Sequence, residues 1–188
     1  IDSDSIREYL SVGGYTAFEN ALFDMSADDI VNEISESNLR GRGGGGFPTG
    51  RKWSQVKRQK ATPKYIVCNG DEGDPGAFMD RSVMEDDPHR MLEGMMIAGL
   101  AVGASEGYIY VRAEYPVAVK KLARAIEQAT ELGLLGKELQ LLFKGILVLH
   151  RLENLCTGEL IPRGGNDGGV LVVLAQQSDA GFKLFGLD

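Results

Sequence analysis

Residues 65–111 read YIVCNGDEGDPGAFMDRSVMEDDPHRMLEGMMIAGLAVGASEGYIYV. Tyr65 to Cys68 is a short β-type run that follows Pro63 and is ended by Asn69–Gly70. Asp86 or Asp87, with Pro88 near the first turn, predicts a helix through Val102. Its apolar positions include Met91, Met95, Met96, Leu100 and Ala101. Gly107 ends the connection, and Tyr108 to Val111 form a second strand. Just downstream, Pro116 starts a helix to about Leu132, with Val117, Leu122, Ala125 and Ile126 apolar and Gly133 and Gly136 as stops. Parallel neighbours need a crossover, so strand–helix–strand–helix predicts an α/β fold. We expect a Rossmann-like parallel sheet layer with helices on both faces and an N-terminal helical segment.

Working outward, the first forty residues read as helices. Ser3 or Asp4 can cap one through Leu10, and Gly13–Gly14 breaks it. Thr16 can start a second through Met25. Ser26 is a suitable N-cap for a third, with Asp28 and Asp29 placed at the positive end of the helix dipole. Beyond Lys137, LQLLF and ILVLH look like buried strand material, and GGVLVVLAQQ like a last strand. No repeat or low-complexity linker divides the chain, so 1–188 is read as one domain. It comprises a helical lead-in over 1–40, a core over 41–136 and a tail over 137–188.

The 188 residues suffice for one real hydrophobic core. A net charge of −7 argues against non-specific nucleic-acid binding, which needs basic surface to displace counterions. The basic residues bunch between Arg40 and Lys64 and leave room for a local anion site. Cys68 and Cys156 lack CxxC partners, so this chain supplies no zinc or iron–sulfur framework of its own. The N-terminus lacks an apolar signal-peptide core, and no apolar run is long enough to span a bilayer. A cytoplasmic location is expected, with any membrane association indirect.

Two segments carry chemistry. The first is GRGGGGFPTGRKW, Gly41 to Trp53. Glycines allow positive φ and let a ligand approach the main chain, and successive N–H groups form an anion nest. Gly41, Gly43 and Gly46 match GxGxxG, but a helix precedes them where the dinucleotide fingerprint needs a strand. A phosphate-binding Walker loop is excluded because, with Gly45 and Gly50 at the glycine positions, Arg51 stands where the lysine should be and no Ser or Thr follows it. A mobile hinge would have no use for Phe47, Pro48 and Trp53, whereas Arg42, Arg51 and Lys52 suit a phosphate or an anionic flavin. The second segment is NGDEGDPGAF, Asn69 to Phe78, directly after a strand, where ligands sit in open α/β sheets. Its amide and carboxylates can hydrogen-bond hydroxyls or ring nitrogens. The same composition also makes a plain polar turn. A metal at Asp71, Glu72 and Asp74 is a weaker alternative, since EF-hand spacing is absent.

NLRGRGGGGFPTGRKW, followed by YIVCNGDEGDPGAFMDRSVMEDDPHRMLEGMMIAGLAVGASEGYIYVRAEYP, resembles the flavin- and NADH-binding subunit of respiratory complex I. The same module occurs in NAD-linked and electron-bifurcating hydrogenases and in NAD-dependent formate dehydrogenases. The likeness extends over about residues 1–135. It implies flavin mononucleotide (FMN) and NAD as cofactors, NADH oxidation as the activity, and an iron–sulfur acceptor in a partner or in a region beyond this chain. By resemblance, Gly41, Arg42, Gly43 and Gly44 back the flavin, and Lys52 reaches it. Asn69, Asp71 and Glu72 match polar contacts to FMN, Asp74 an acidic position near the nicotinamide nucleotide, and Phe47 an aromatic packing on the NADH adenine. No side-chain acid or base is implied, and His89 and His150 are read as structural or exposed.

The resemblance lapses after about Gly136. Cys156-Thr157-Gly158-Glu159 only partly matches the family's Cys-Gly-Glu-Glu motif, leaving Gly158 and Glu159 as the site candidates there. The family's middle domain and its C-terminal cluster domain have no counterpart. A chain of this extent leaves apolar surface to be covered by iron–sulfur subunits of a larger complex or by self-association. The alternative is a truncated nucleotide-binding or subunit-assembly module without turnover.

Overall fold

The computed structural model describes residues 2–135 and the strands 171–175 and 183–185. The elements in order are α1 (Ile6–Ser11), α2 (Thr16–Phe23), α3 (Ala27–Glu36), α4 (Thr49–Lys57), β1 (Tyr65–Gly70), α5 (Met79–Asp86), α6 (Pro88–Val102), β2 (Glu106–Val111), α7 (Pro116–Glu131), β3 (Leu171–Ala175) and β4 (Lys183–Phe185). The runs LQLLF and ILVLH fall outside the described residues.

One sheet has the order β1-β2-β3-β4. β1, β2 and β3 are parallel, as the strand–helix alternation requires, and β4 closes antiparallel on β3. The register pairs Ile66 with Gly107, Cys68 with Ile109 and Gly70 with Val111. Side chains alternate across a strand, so these pairs share one face. On that face Ile109 and Val111 pack with Leu92 and Met95 of α6, Met84 of α5 and Leu122, Ala125 and Ile126 of α7. Full burial of each large side chain there contributes roughly 1.5–3 kcal/mol. Trp53 and Val56 of α4 also cluster with Ile66 of this face. The opposite face carries Tyr65 and Val67, both exposed, and the Tyr65 and Tyr108 rings lie 5.7 Å apart.

The N-terminal helices dock on the outer side of α6. Ser26 caps α3 and forms a reciprocal capping box with Asp29. Their carboxylate–hydroxyl and carboxylate–amide bonds pull the Asp29 pKa down. Tyr15 takes left-handed φ 62° at the N-cap of α2 and is fully buried. This uncommon conformation is held by Glu93 of α6. The Glu93 carboxylate accepts the Tyr9 hydroxyl and the N–H groups of Tyr15 (3.1 Å) and Phe18 (3.0 Å). His89, one helical turn earlier, lies between Tyr15 Oη and Gln128 Oε1, each 3.0 Å away. The amide oxygen can only accept, so Nε2–H donates to Gln128 and Nδ1 accepts from Tyr15. Burial depresses the His89 pKa, against smaller upward pulls from Gln128, Asp87 and Asp4. His89 is therefore structural.

Candidate functional site

The glycine loop runs between two helices, α3 and α4, and its base is ordered. Arg40 and Pro48 form an antiparallel bridge, Gly41 N–H donates to Phe47 O at 2.9 Å, and Thr49 N–H donates to Leu39 O at 2.9 Å. Arg40 Nη1 closes the tip on Gly46 O at 3.0 Å. Gly44 (φ 93°) and Gly46 (φ 56°) need the conformational freedom of glycine. Gly43 and Gly45 do not, and a Cβ added at either would meet nothing within 4 Å. Packing among the described residues thus gives no reason for glycine at 43 and 45 and leaves the backbone there open to approach.

Gly50 has a different cause. A Cβ there would lie 2.2 Å from Ser35 Oγ and 2.7 Å from Ser35 Cα, so glycine is what lets α4 seat against α3. The N-cap of α4, Pro48, supplies no side-chain cap. Backbone N–H groups at such a helix start favour an anion. Arg42 and Lys52 are exposed on the loop and on the first turns of α4. Phe47 is 44% exposed and carries the Arg51 guanidinium over its ring, 5.7 Å from the centroid. An aromatic with one occupied face keeps stacking surface for a base.

The second segment follows β1. Asn69 Oδ1 accepts from Asp71 N–H at 3.0 Å, an Asx turn that reverses the chain at the strand's carboxyl end. A Cβ on Gly70 would strike Met84 Sδ and Tyr110 O at 2.8 Å, so glycine permits the close approach of α5 and β2. Gly76 takes φ 83°, and Ala77 N–H closes on Asp74 O at 3.1 Å. Asp74 is exposed, and Asp71 approaches Arg112 Nε at 3.7 Å.

Glu72 is only 8% exposed. Its carboxylate accepts the N–H groups of Asp80 (3.1 Å) and Arg81 (3.3 Å) and caps α5, whose own N-cap residue has no side-chain bond. Its direct work in this structure is to seat the turn on α5. The acids diverge, and no group of three or more His, Cys, Asp or Glu among the described residues is arranged for a metal. Sequence reasoning missed Arg112, at the carboxyl end of β2, whose Nη1 donates to Glu72 O at 2.5 Å. An arginine one residue beyond a central strand was the available signal.

The two segments are linked through α4 and β1. Lys64 Nζ donates to Lys57 O and to Val102 O, both at 2.9 Å, and ties the ends of α4 and α6 to the start of β1. Trp53 and Val56 of α4 pack in one cluster with Ile66 of β1. The glycine loop and the polar turn therefore occupy the far ends of two elements that meet at Lys64. A cavity of about 280 Å³ opens between α3 and α4, with Pro48, Gly50 and Arg51 among its walls and no residue of the polar turn. Gly158 and Glu159 lie outside the described residues.

Residues 34–159 match the family described as the Nuo51 FMN-binding domain. The chain is 48% identical over 135 residues to an NADH-quinone oxidoreductase subunit of Rhizobium meliloti, covering 72% of this chain and 32% of that protein. It is 50% identical over 139 residues to the HndC subunit of the NADP-reducing hydrogenase of Solidesulfovibrio fructosivorans, covering 74% and 28%. Among solved structures, a NAD+-reducing [NiFe]-hydrogenase in the H2-reduced state superposes with a TM-score of 0.58 at 34% identity, covering 64% of this chain and 21% of that chain. The chain thus spans about a third of the length of the curated relatives it matches. Family match, sequence identity and superposition agree: this chain belongs to the Nuo51 FMN-binding domain family.

Proposed function

We propose that this chain forms the FMN site and part of the NADH site of an NADH-oxidising flavoprotein, which delivers electrons to an iron–sulfur partner within a larger complex. The observation that carries this reading is the open glycine tip: Gly43 and Gly45 have space where a Cβ would sit and no internal need for glycine. The names of the relatives, an NADH-quinone oxidoreductase subunit and a NADP-reducing hydrogenase subunit, support it. When bound, the flavin supplies the conversion between two-electron oxidation of NADH and one-electron delivery to a cluster.

The chain's part is binding and placement. Gly41 anchors the base of the loop on Phe47 O, backbone N–H groups from Arg42 to Gly46 and the start of α4 receive anionic or carbonyl groups, and Arg42 and Lys52 add positive charge. Asn69 and Asp71 supply hydrogen-bonding groups from the turn, and Glu72 fixes that turn on α5. Asp74 and Phe47, both exposed, are assigned to the nicotinamide nucleotide, Phe47 by stacking on its adenine. Gly158 and Glu159 are assigned a supporting place at the same site. No side-chain acid or base is required.

Among the described residues no helix is long and apolar enough to cross a membrane. We place the protein in the cytoplasm, reached by membranes only through partner subunits. The test is direct. The purified chain is mixed with FMN and then titrated anaerobically with NADH. A bound yellow chromophore that bleaches upholds the proposal. Binding without bleaching points instead to a nucleotide-binding or assembly module, and absence of binding removes the flavin assignment.

A further inference from the structure

We propose that Arg112 is the positioning residue of this site: its guanidinium holds the Asp71–Glu72 turn in the shape that receives the ligand. The inference rests on the flavin reading above and adds a residue to it. Val111 pairs with Gly70 across β1 and β2, so Arg112 and Asp71 are the first residues beyond the last matched pair. From there Arg112 reaches across to the neighbouring strand's exit. Nη1 donates to the Glu72 carbonyl oxygen, and Nε faces Asp71 Oδ1 at 3.7 Å. On its own side, Nη2 donates to Glu114 Oε1 at 3.3 Å, and the guanidinium lies 5.9 Å from the centre of the Tyr115 ring. Tyr115 also faces Arg81 of α5 at 5.3 Å, which is the residue whose N–H the Glu72 carboxylate caps.

Glu72 is thus fixed twice, by its carboxylate on α5 and by its carbonyl on β2. Removing Arg112 leaves the second anchor unmade and Asp71 without the cation facing it. The turn also carries Asp71, Glu72 and Asp74, three acids beside a site proposed for an anionic ligand. Arg112 offsets that charge. A planar fork of donors serves a carbonyl and a carboxylate together, which a lysine ammonium on a flexible stem does less well.

The test uses the whole chain as wild type, Arg112→Lys and Arg112→Ala. FMN affinity is read by flavin fluorescence, and amide exchange is followed at Asp80 and Arg81, whose N–H groups report the Glu72 cap. The expected result is about a tenfold loss of FMN affinity in Arg112→Ala and a smaller loss in Arg112→Lys. Millimolar guanidinium is expected to restore part of the affinity of Arg112→Ala, and sodium chloride at equal ionic strength is not. Faster exchange is expected at Asp80 and Arg81 but not in α2. Wild-type affinity in Arg112→Ala overturns the proposal. So does a loss that neither lysine nor guanidinium relieves and that comes with faster exchange throughout the chain. If wild type itself fails to bind FMN, the flavin reading falls and exchange alone decides: acceleration confined to Asp80 and Arg81 upholds the anchor, and unchanged rates overturn it.

Discussion

Two regions of this chain use polar groups and glycines in opposite ways. Where α1 and α2 meet α6, the buried Glu93 and His89 find their partners within the chain. Glu93 takes one hydroxyl and two backbone N–H groups, and His89 bridges Tyr15 and Gln128. Gly14 is there because a Cβ would lie 2.2 Å from the Tyr9 ring. In the loop from Gly41 to Gly46 the reverse holds. The glycine positions at 43 and 45 face open space, and Arg42 and nearby Lys52 stand exposed. The first region is complete as folded. The second leaves glycine backbone and positive charge open, as the proposed flavin site requires. Glycine count alone would have treated them alike, and the surroundings of each absent Cβ separate them.

That contrast can be broken at several points. The largest effect is expected at Glu93. Glu93→Ala strands two buried N–H groups and the Tyr9 hydroxyl and is expected to cost about 3–4 kcal/mol, read from the urea midpoint. FMN affinity of the folded fraction should stay unchanged; a selective loss of affinity at full stability would erase the distinction between the regions. Next comes Gly50→Ala. The new methyl would press on Ser35 backbone atoms, and a loss of about 1–3 kcal/mol is expected in the same measurement.

A smaller, pH-dependent effect is expected from His89. Its folded pKa lies below the ordinary value, so the unfolded chain binds more protons in the window beneath about 6.5. Stability should be full above that pH and fall as pH drops toward the depressed folded value, then level off. Urea midpoints at several pH values should show this slope in wild type and lose it in His89→Gln. The smallest effect on stability is expected at the glycine tip. Gly43→Ala and Gly45→Ala should change stability by less than about 0.5 kcal/mol, while FMN affinity falls clearly. Lys52→Ala should weaken FMN by about 1–3 kcal/mol with stability unchanged.

The same contrast explains what the sequence disclosed. The strands β1 and β2 and the helices α6 and α7 were legible because local pattern and tertiary use agree: Pro88 and Pro116 open α6 and α7, and Ile109 and Val111 alternate inward on β2. The helix α4 was not legible. It contains Gly50 and mostly polar residues, and it is held by Trp53, Val56 and a close approach to α3. α5 lacks a local cap, because Glu72, eight residues before Asp80, supplies it. That long-range bond also gave Glu72 a positioning role that its place in a polar turn did not reveal. β4 has only three residues and gains its identity from pairing with β3. The glycine loop and the Asn69 turn were conspicuous as motifs. Their placement depends on contacts that local pattern does not show: Lys64 joins the end of α4 to the start of β1, and Arg112 holds the turn from the neighbouring strand.

The central claim is that the glycine tip and the turn beyond β1 hold the same flavin. It is tested most directly by titrating the isotopically labelled chain with FMN and following amide resonances. Gly43 to Gly46 and Asn69 to Asp74 are predicted to shift together with one dissociation constant, while the amides of Tyr15 and Phe18 beside Glu93 stay in place. Shifts in only one of the two segments, or in neither, would contradict it.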